Sequence, residues 1–242
     1  MRPLPHFMQS PLLRAVPGVY HAFLGVDPVE GRHHGARLSE VFSIPPAAIG
    51  TMKQIHSSVV LAYDRGEGEI PDGAKREGDA LWTASPGTGV AVRTADCVPI
   101  LLAHRESPRV AAVHAGWRGL AAGIVREAVR AVAEPFGKEG VSGIVAAAGP
   151  CARDCCYEVG EETADALHVL PGATAALRKG VVPGKWFADL RAIALAALVE
   201  AGISPSHAEG VGPCTVCSPR FHSFRREKSL TGRQLSFIYI YR

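Results

Sequence analysis

The chain has no long apolar run at its start. Between Met1 and Gly25 the hydrophobic residues are interrupted by Pro3, Pro5, Pro11 and Pro17. That pattern suits neither a signal-peptide core nor a spanning helix, so the expected home of the protein is the cytoplasm. A dense basic run is missing too. The 26 basic and 23 acidic residues are spread along 242 positions for a formal charge of +3, so neither nucleic acid nor a membrane is an expected partner, whereas a small anion is. No internal repeat and no low-complexity linker divides the sequence, which suits one domain over residues 1–242. Nor does any dinucleotide-fold or P-loop glycine pattern occur, so nucleotide cofactors and ATP are not indicated. The sequence sets no oligomeric state.

What is present is an ordinary globular composition, 47% hydrophobic and 20% charged. Without a secretory signal, its six cysteines read better as thiols or metal ligands than as a disulfide framework. Short apolar runs alternate with patterned helices, the order that an α/β fold requires. Strands are expected at Ser58–Tyr63, Gly89–Arg93, Val98–Ala103, Val110–Val113, Gly143–Ala148 and Leu235–Tyr239. Several links between them are too short for a helical crossover, so mixed pairing is expected. Leu120–Ala133 shows one apolar helical face, and a second helix runs from the N-cap Asp189 to a stop at Gly202. The glycine-rich, charged stretch from Glu67 to Gly78 reads as an exposed connection.

His56, Cys97 and His114 stand at strand ends and are too widely separated along the chain for a finger or ribbon. Residue chemistry leaves two readings open. Three donors of these types can hold a catalytic zinc with its fourth position free, or the histidines can be satisfied strand-end residues beside an inert thiol. Asp96, on an extended backbone, would point away from the Cys97 thiol and orient a neighbouring segment or a ligand imidazole. Gly116 and Gly119 flank Trp117-Arg118 at a helix start, where backbone N–H groups and the Arg118 guanidinium offer a seat for phosphate or carboxylate; a tight connection is the alternative. Near the C-terminus, Phe221-His-Ser-Phe-Arg225-Arg-Glu227 and Thr231-Gly-Arg233 bring aromatic rings and arginines together. They form either a surface that stacks on a base and binds an anion or a solvated hairpin edge. Cys151, Cys155, Cys156, Cys214 and Cys217 offer a rival metal site, but the first cluster lacks the usual two-residue gap, which weighs against it.

Taken together, these strings resemble the laccase-domain family, once called multicopper polyphenol oxidoreductases and now associated with purine nucleoside phosphorylase activity. Gln54-Ile-His56, Asp79-Ala-Leu-Trp-Thr83, Thr94-Ala-Asp-Cys97-Val-Pro, Val113-His114-Ala-Gly-Trp-Arg-Gly119, Gly149-Pro150 with Cys156-Tyr-Glu-Val-Gly160, and Phe224-Arg-Arg with Thr231-Gly-Arg233 follow the family order from Gln54 to Phe237. The resemblance implies a layered α/β sandwich with mixed sheets. It also implies zinc held by His56, Cys97 and His114, with phosphorolysis of inosine, adenosine, guanosine or methylthioadenosine and deamination of adenosine. Arg118 and Arg225 are the expected phosphate and substrate contacts. Cys156, Cys214 and Cys217 fall where such proteins often have cysteines, which argues against a separate structural zinc.

The sequence departs from the family at its N-terminus. His21-Ala-Phe23-Leu-Gly-Val-Asp27 stands where Thr-Arg-x-Gly-Gly usually follows His-Gly-Phe, and only Arg32 or Arg37 could substitute for the missing arginine. None of the ten histidines forms His-x-His or His-Cys-His, the pairing that a three-copper cluster needs. Copper in place of zinc at the single site is then the most that the oxidoreductase label implies. Two rival functions remain: a hydrolase that uses Cys97 with His114 as base, including an amidase that edits cell-wall precursors, and a binding module without turnover.

Overall fold

Val98–His104 (β7), Val110–Ala115 (β8), Ile144–Ala148 (β9) and Gln234–Ile240 (β14) are buried at every position. A strand shielded on both faces lies in an inner layer. In the computed structural model, which describes residues 6–27, 34–64, 76–228 and 232–241, these strands belong to two sheets packed against each other. The first has six strands in the order Ala208–Gly210 (β13), β9, β7, β8, Ala80–Thr83 (β5) and Val60–Ala62 (β4). Its outermost pairs are parallel and its inner pairs antiparallel. The second has five, in the order Phe7–Met8 (β1), Val19–Leu24 (β2), β14, Gly89–Thr94 (β6) and Ile49–Gly50 (β3), with β3 parallel to β6. A small antiparallel sheet comprises Glu158–Gly160 (β10), Lys185–Ala188 (β12) and Leu177–Lys179 (β11).

Side-chain alternation along each strand sorts the core into layers. Ile100 and Leu102 of β7 face helices Ile124–Ala133 and Leu190–Glu200. Leu101 and Ala103 point the other way, onto Val90, Val92 and Ile238 of the five-stranded sheet. That sheet's outer face packs Ala91, Leu235 and Phe237 on Leu38 and Ile44. Each fully buried Leu or Ile contributes roughly 1.5–3 kcal/mol. The result is the expected layered sandwich with mixed sheets.

Details differ from the sequence reading. The single helix expected over Leu120–Ala133 is two, Trp117–Ala121 and Ile124–Ala133, because Gly123 adopts φ +82° between them, a left-handed conformation open to glycine. The strand expected at Ser58–Tyr63 shortens to Val60–Ala62. β8 continues through His114 to Ala115, so His114 lies within a strand. Asp189 does cap the helix Leu190–Glu200, its side chain accepting from the backbone N of Ala192 at 3.0 Å. Most of the connection expected at Glu67–Gly78, and Arg32, lie outside the described residues, as does the Arg37 side chain.

Candidate active site

Three chain crossings bring the site together. Thr94 ends β6 in one sheet and Val98 starts β7 in the other, so Cys97 lies in the turn that joins the two layers. β8, beside β7, carries His114, and Pro99 is its register partner. His56 sits between β3 and β4. The donor atoms of His56, Cys97 and His114 all lie within 4.8 Å of one another. His56 Nε2 is 3.9 Å from the Cys97 sulfur, and the two imidazole centroids are 4.7 Å apart.

Asp79 holds the group in place, a role the sequence reading did not assign. Its wholly buried carboxylate bonds His114 Nδ1 at 2.7 Å and accepts from the backbone N of His56 at 2.9 Å and of Ser57 at 2.5 Å, with the Ser57 hydroxyl at 2.8 Å. With Nδ1 engaged, Nε2 is left for the centre. The same bonds hold His56 at φ +61°, a conformation that surroundings must enforce. In the sequence it is an acid directly before a buried strand, heading the string Asp79-Ala-Leu-Trp-Thr83. Gln54 steadies the segment further, pairing with the backbone of Arg93 through two 2.8 Å hydrogen bonds.

Electrostatics follow from these contacts. Burial opposes ionisation of Asp79, but bonds from His114 and Ser57 outweigh it and hold the carboxyl well below its usual range. Burial also opposes the Cys97 thiolate, yet His114 and His56 pull its pKa down to about 6. His114 is disfavoured as a cation by burial, and Asp79 and Cys97 more than compensate, raising it to about 9. The two shifts run in the directions that favour a thiolate beside an imidazolium. The donor chemistry suits a divalent ion: two imidazoles and a readily ionised thiol converge, and a buried carboxylate orients one of them.

The glycines at the rim have a further task, and the aspartate departs from the sequence reading. A Cβ on Gly116 would stand 2.9 Å from the Cys97 sulfur and 3.0 Å from His56 Cδ2, and one on Gly119 would stand 3.2 Å from the Ser57 carbonyl oxygen. Both positions are needed for close approach. Asp96 is not extended but has φ +88°. It accepts from Thr215 Oγ1 at 2.7 Å, Ser223 Oγ at 3.1 Å and the Arg225 backbone N at 2.6 Å. Of its two expected tasks it performs the first, orienting a neighbouring segment, while Asp79 orients the imidazole.

The triad opens into a cleft of about 970 Å³, within the upper range of small-molecule sites. Arg93, Arg118, Arg225 and Arg233 line it, as do Trp117, Tyr157 and Phe224. The Arg118 guanidinium lies 4.2 Å from the centroid of Trp117, and that of Arg225 lies 5.0 Å from Tyr157. Burial and the nearby Cys97 push the Tyr157 hydroxyl up to about 12, keeping it protonated. Arg226 turns away and donates to the carbonyls of Thr215, Val216, Ser218 and Phe221. His21, from the divergent N-terminal stretch, is fully buried in β2 and accepts a 2.8 Å bond from the Ser10 backbone N.

With this geometry in view, the relatives are informative. A family model described as multi-copper polyphenol oxidoreductase laccase matches residues 25–241. The chain belongs to that family. The match begins well before Gln54, where the recognisable strings start. A purine nucleoside phosphorylase of Pseudomonas aeruginosa is 36% identical over 216 residues, covering 88% of this chain and 82% of the relative. The purine nucleoside phosphorylase YfiH of Escherichia coli is 34% identical over 222 residues, with 90% and 84% covered. The crystal structure of YlmD from Geobacillus stearothermophilus shares the fold at a TM-score of 0.85 and 27% identity, over 98% of this chain and all of that one, 100%. No second histidine cluster occurs among the described residues: His104 stacks on Phe136, and His168 packs edge-on against Trp186.

Proposed function

We propose that the chain is a zinc-dependent purine nucleoside phosphorylase acting on inosine, adenosine, guanosine or methylthioadenosine. The observation that carries this reading is the His56–Cys97–His114 triad at the base of a cleft lined by arginines and aromatic rings. Relatives named purine nucleoside phosphorylase support it.

In phosphorolysis a phosphate oxygen bonds to C1′ of the ribose, and the bond from C1′ to the purine nitrogen breaks. The purine leaves with the electron pair and takes up a proton. Arg118 and Arg225 hold the phosphate, and their fixed charge favours the transition state because it is already oriented when negative charge shifts. Trp117 and Phe224 offer faces on which the base stacks. His56, Cys97 and His114 hold the ion, with Asp79 fixing the imidazole of His114. When bound, zinc supplies a Lewis acid with one open position. Copper fits the same donors and stands above zinc in the affinity order. A thiol in the donor set calls for a reducing compartment, and the cytoplasm is the reading we adopt.

The same three-donor set supports a second activity, adenosine deamination, in which water adds at C6 and ammonia departs. Incubation of the purified protein with inosine, with and without phosphate and with and without a chelator, tests the main reading. Hypoxanthine and ribose 1-phosphate should appear in equal amounts only when phosphate and metal are both present. Free ribose formed without phosphate and in the presence of chelator would instead indicate a cysteine hydrolase, and binding without turnover a purine-binding module.

A further inference from the structure

Two segments distant in sequence, around residues 155 and 217, meet beside the cleft. The sulfurs of Cys155, Cys156, Cys214 and Cys217 all lie within 4.8 Å of one another. Cys217 stands 3.4 Å from Cys155 and 2.9 Å from Cys156, and all four are free thiols. A disulfide would require about 2.0 Å. Four thiolates around zinc, each at about 2.3 Å, lie ~3.8 Å from one another, the edge of the tetrahedron. Two of the separations lie below that edge, and all lie within 4.8 Å.

The missing two-residue gap, which weighed against this site in the sequence, is overcome by a turn. The backbone N of Cys156 and of Tyr157 both bond the Arg153 carbonyl, at 3.0 and 2.8 Å, curling the chain so that adjacent cysteines face one point. Cys214-x-x-Cys217 is a turn as well, with Ser218 N on the Cys214 carbonyl at 3.1 Å, and Thr215 N bonds the Cys151 carbonyl at 2.9 Å to join the segments. Burial opposes charge on Cys214, but backbone N–H groups of Cys217, Arg153 and Val216 aim at its sulfur and lower its pKa. The other three thiols are pushed the opposite way, Cys155 up to about 12 through burial and then through its bond to Cys217. Two arginines on these segments are committed elsewhere, Arg153 to Asp189 at 2.7 Å and Arg226 to four carbonyls. Four convergent thiol sulfurs are the donor set of a structural zinc site.

We propose that Cys155, Cys156, Cys214 and Cys217 bind a second, structural zinc ion that clamps two walls of the cleft together. Four protein donors leave no open position, unlike the triad. Tyr157, one residue beyond Cys156, lines the cleft, and Thr215, one beyond Cys214, donates to Asp96 beside Cys97. The clamp is one residue from the site on each side. It does not depend on the phosphorylase reading.

Zinc content and intact mass of the reduced protein test the proposal, in the full chain and in Cys217→Ser, Cys97→Ala and the double variant. Two zinc ions per chain are expected in the parent, one in each single variant and none in the double. In Cys97→Ala, X-ray absorption should show zinc with four sulfur neighbours at about 2.3 Å. If Cys217→Ser fails to fold, alkylation of the parent gives the answer: Cys155 and Cys217, though exposed, should resist iodoacetamide until a chelator is added. A zinc-free Cys97→Ala, unchanged zinc in Cys217→Ser, or rapid alkylation of the zinc-loaded chain would each overturn it.

Discussion

Asp79 accepts a 2.7 Å hydrogen bond from Nδ1 of His114 while the same carboxylate holds the backbone of His56 at 2.9 Å. One buried side chain therefore fixes two members of the triad, although it points at neither the cleft nor its contents. Its replacement should act through position. Asp79→Asn is expected to weaken zinc retention about 10–100-fold, the usual effect of losing the partner of a ligand histidine. Asp79→Ala should also destabilise the fold by about 3–5 kcal/mol, since it breaks a buried charged pair. Chelator competition and denaturant unfolding measure the two effects, and an Asn variant with unchanged zinc affinity would remove Asp79 from the account.

Gly116 tests packing at the centre without backbone strain. Its φ of −75° and ψ of 169° suit any residue, so only the added methyl matters, 2.9 Å from the Cys97 sulfur. Gly116→Ala should displace the thiol or His56 and lower kcat/KM at least about tenfold, because misplacement by about 1 Å costs that much or more. Gly160→Ala is the matched control: nothing lies within 4 Å of its Cβ position, and its activity should equal that of the parent.

Arg118 is exposed and stacks on Trp117, so Arg118→Ala should leave the melting temperature nearly unchanged. Its charge should matter to phosphate. Loss of a charged hydrogen bond of about 1.5–3 kcal/mol corresponds to a rise of roughly 10–100-fold in the KM for phosphate, with little change in that for inosine. Steady-state kinetics with each substrate varied separate the two. Equal rises in both constants would mean that Arg118 shapes the cleft and does not select the anion.

Acid stability should depend on His21. Burial, and then the charge of Arg14, lower its pKa from 6.5 to about 4. Because the folded state refuses a proton that the unfolded chain accepts, His21 contributes fully above about pH 6.5. That contribution is lost as pH falls through about 4, and amounts to roughly 3 kcal/mol. Unfolding free energies measured between these limits should show one proton fewer taken up on unfolding of His21→Asn than of the parent. An unchanged pH slope would mean that His21 is protonated in the fold.

Much of this architecture is legible in the sequence, because β7, β8 and β9 are continuous apolar runs that only an inner layer accommodates. His56, Cys97 and His114 were legible through their flanking strings. What was not legible depends on three-dimensional closure. Asp79 reads as any acid before a strand until β5 pairs with β8, and Cys155 and Cys156 seem badly spaced until the turn at Arg153 curls them toward Cys217. The apolar face over Leu120–Ala133 runs through Gly123, and only the left-handed backbone of that residue shows the break. Asp96 was assigned an extended backbone because the apolar pattern on both sides is that of strands, whereas it occupies the turn that passes from one sheet to the other.

The most direct test is to measure zinc content and inosine phosphorolysis on the same samples of the parent and of Cys97→Ala. The account expects the parent to convert inosine and phosphate into hypoxanthine and ribose 1-phosphate, with Cys97→Ala losing both the zinc of the triad and the turnover. Full turnover by Cys97→Ala without zinc at the triad would contradict it.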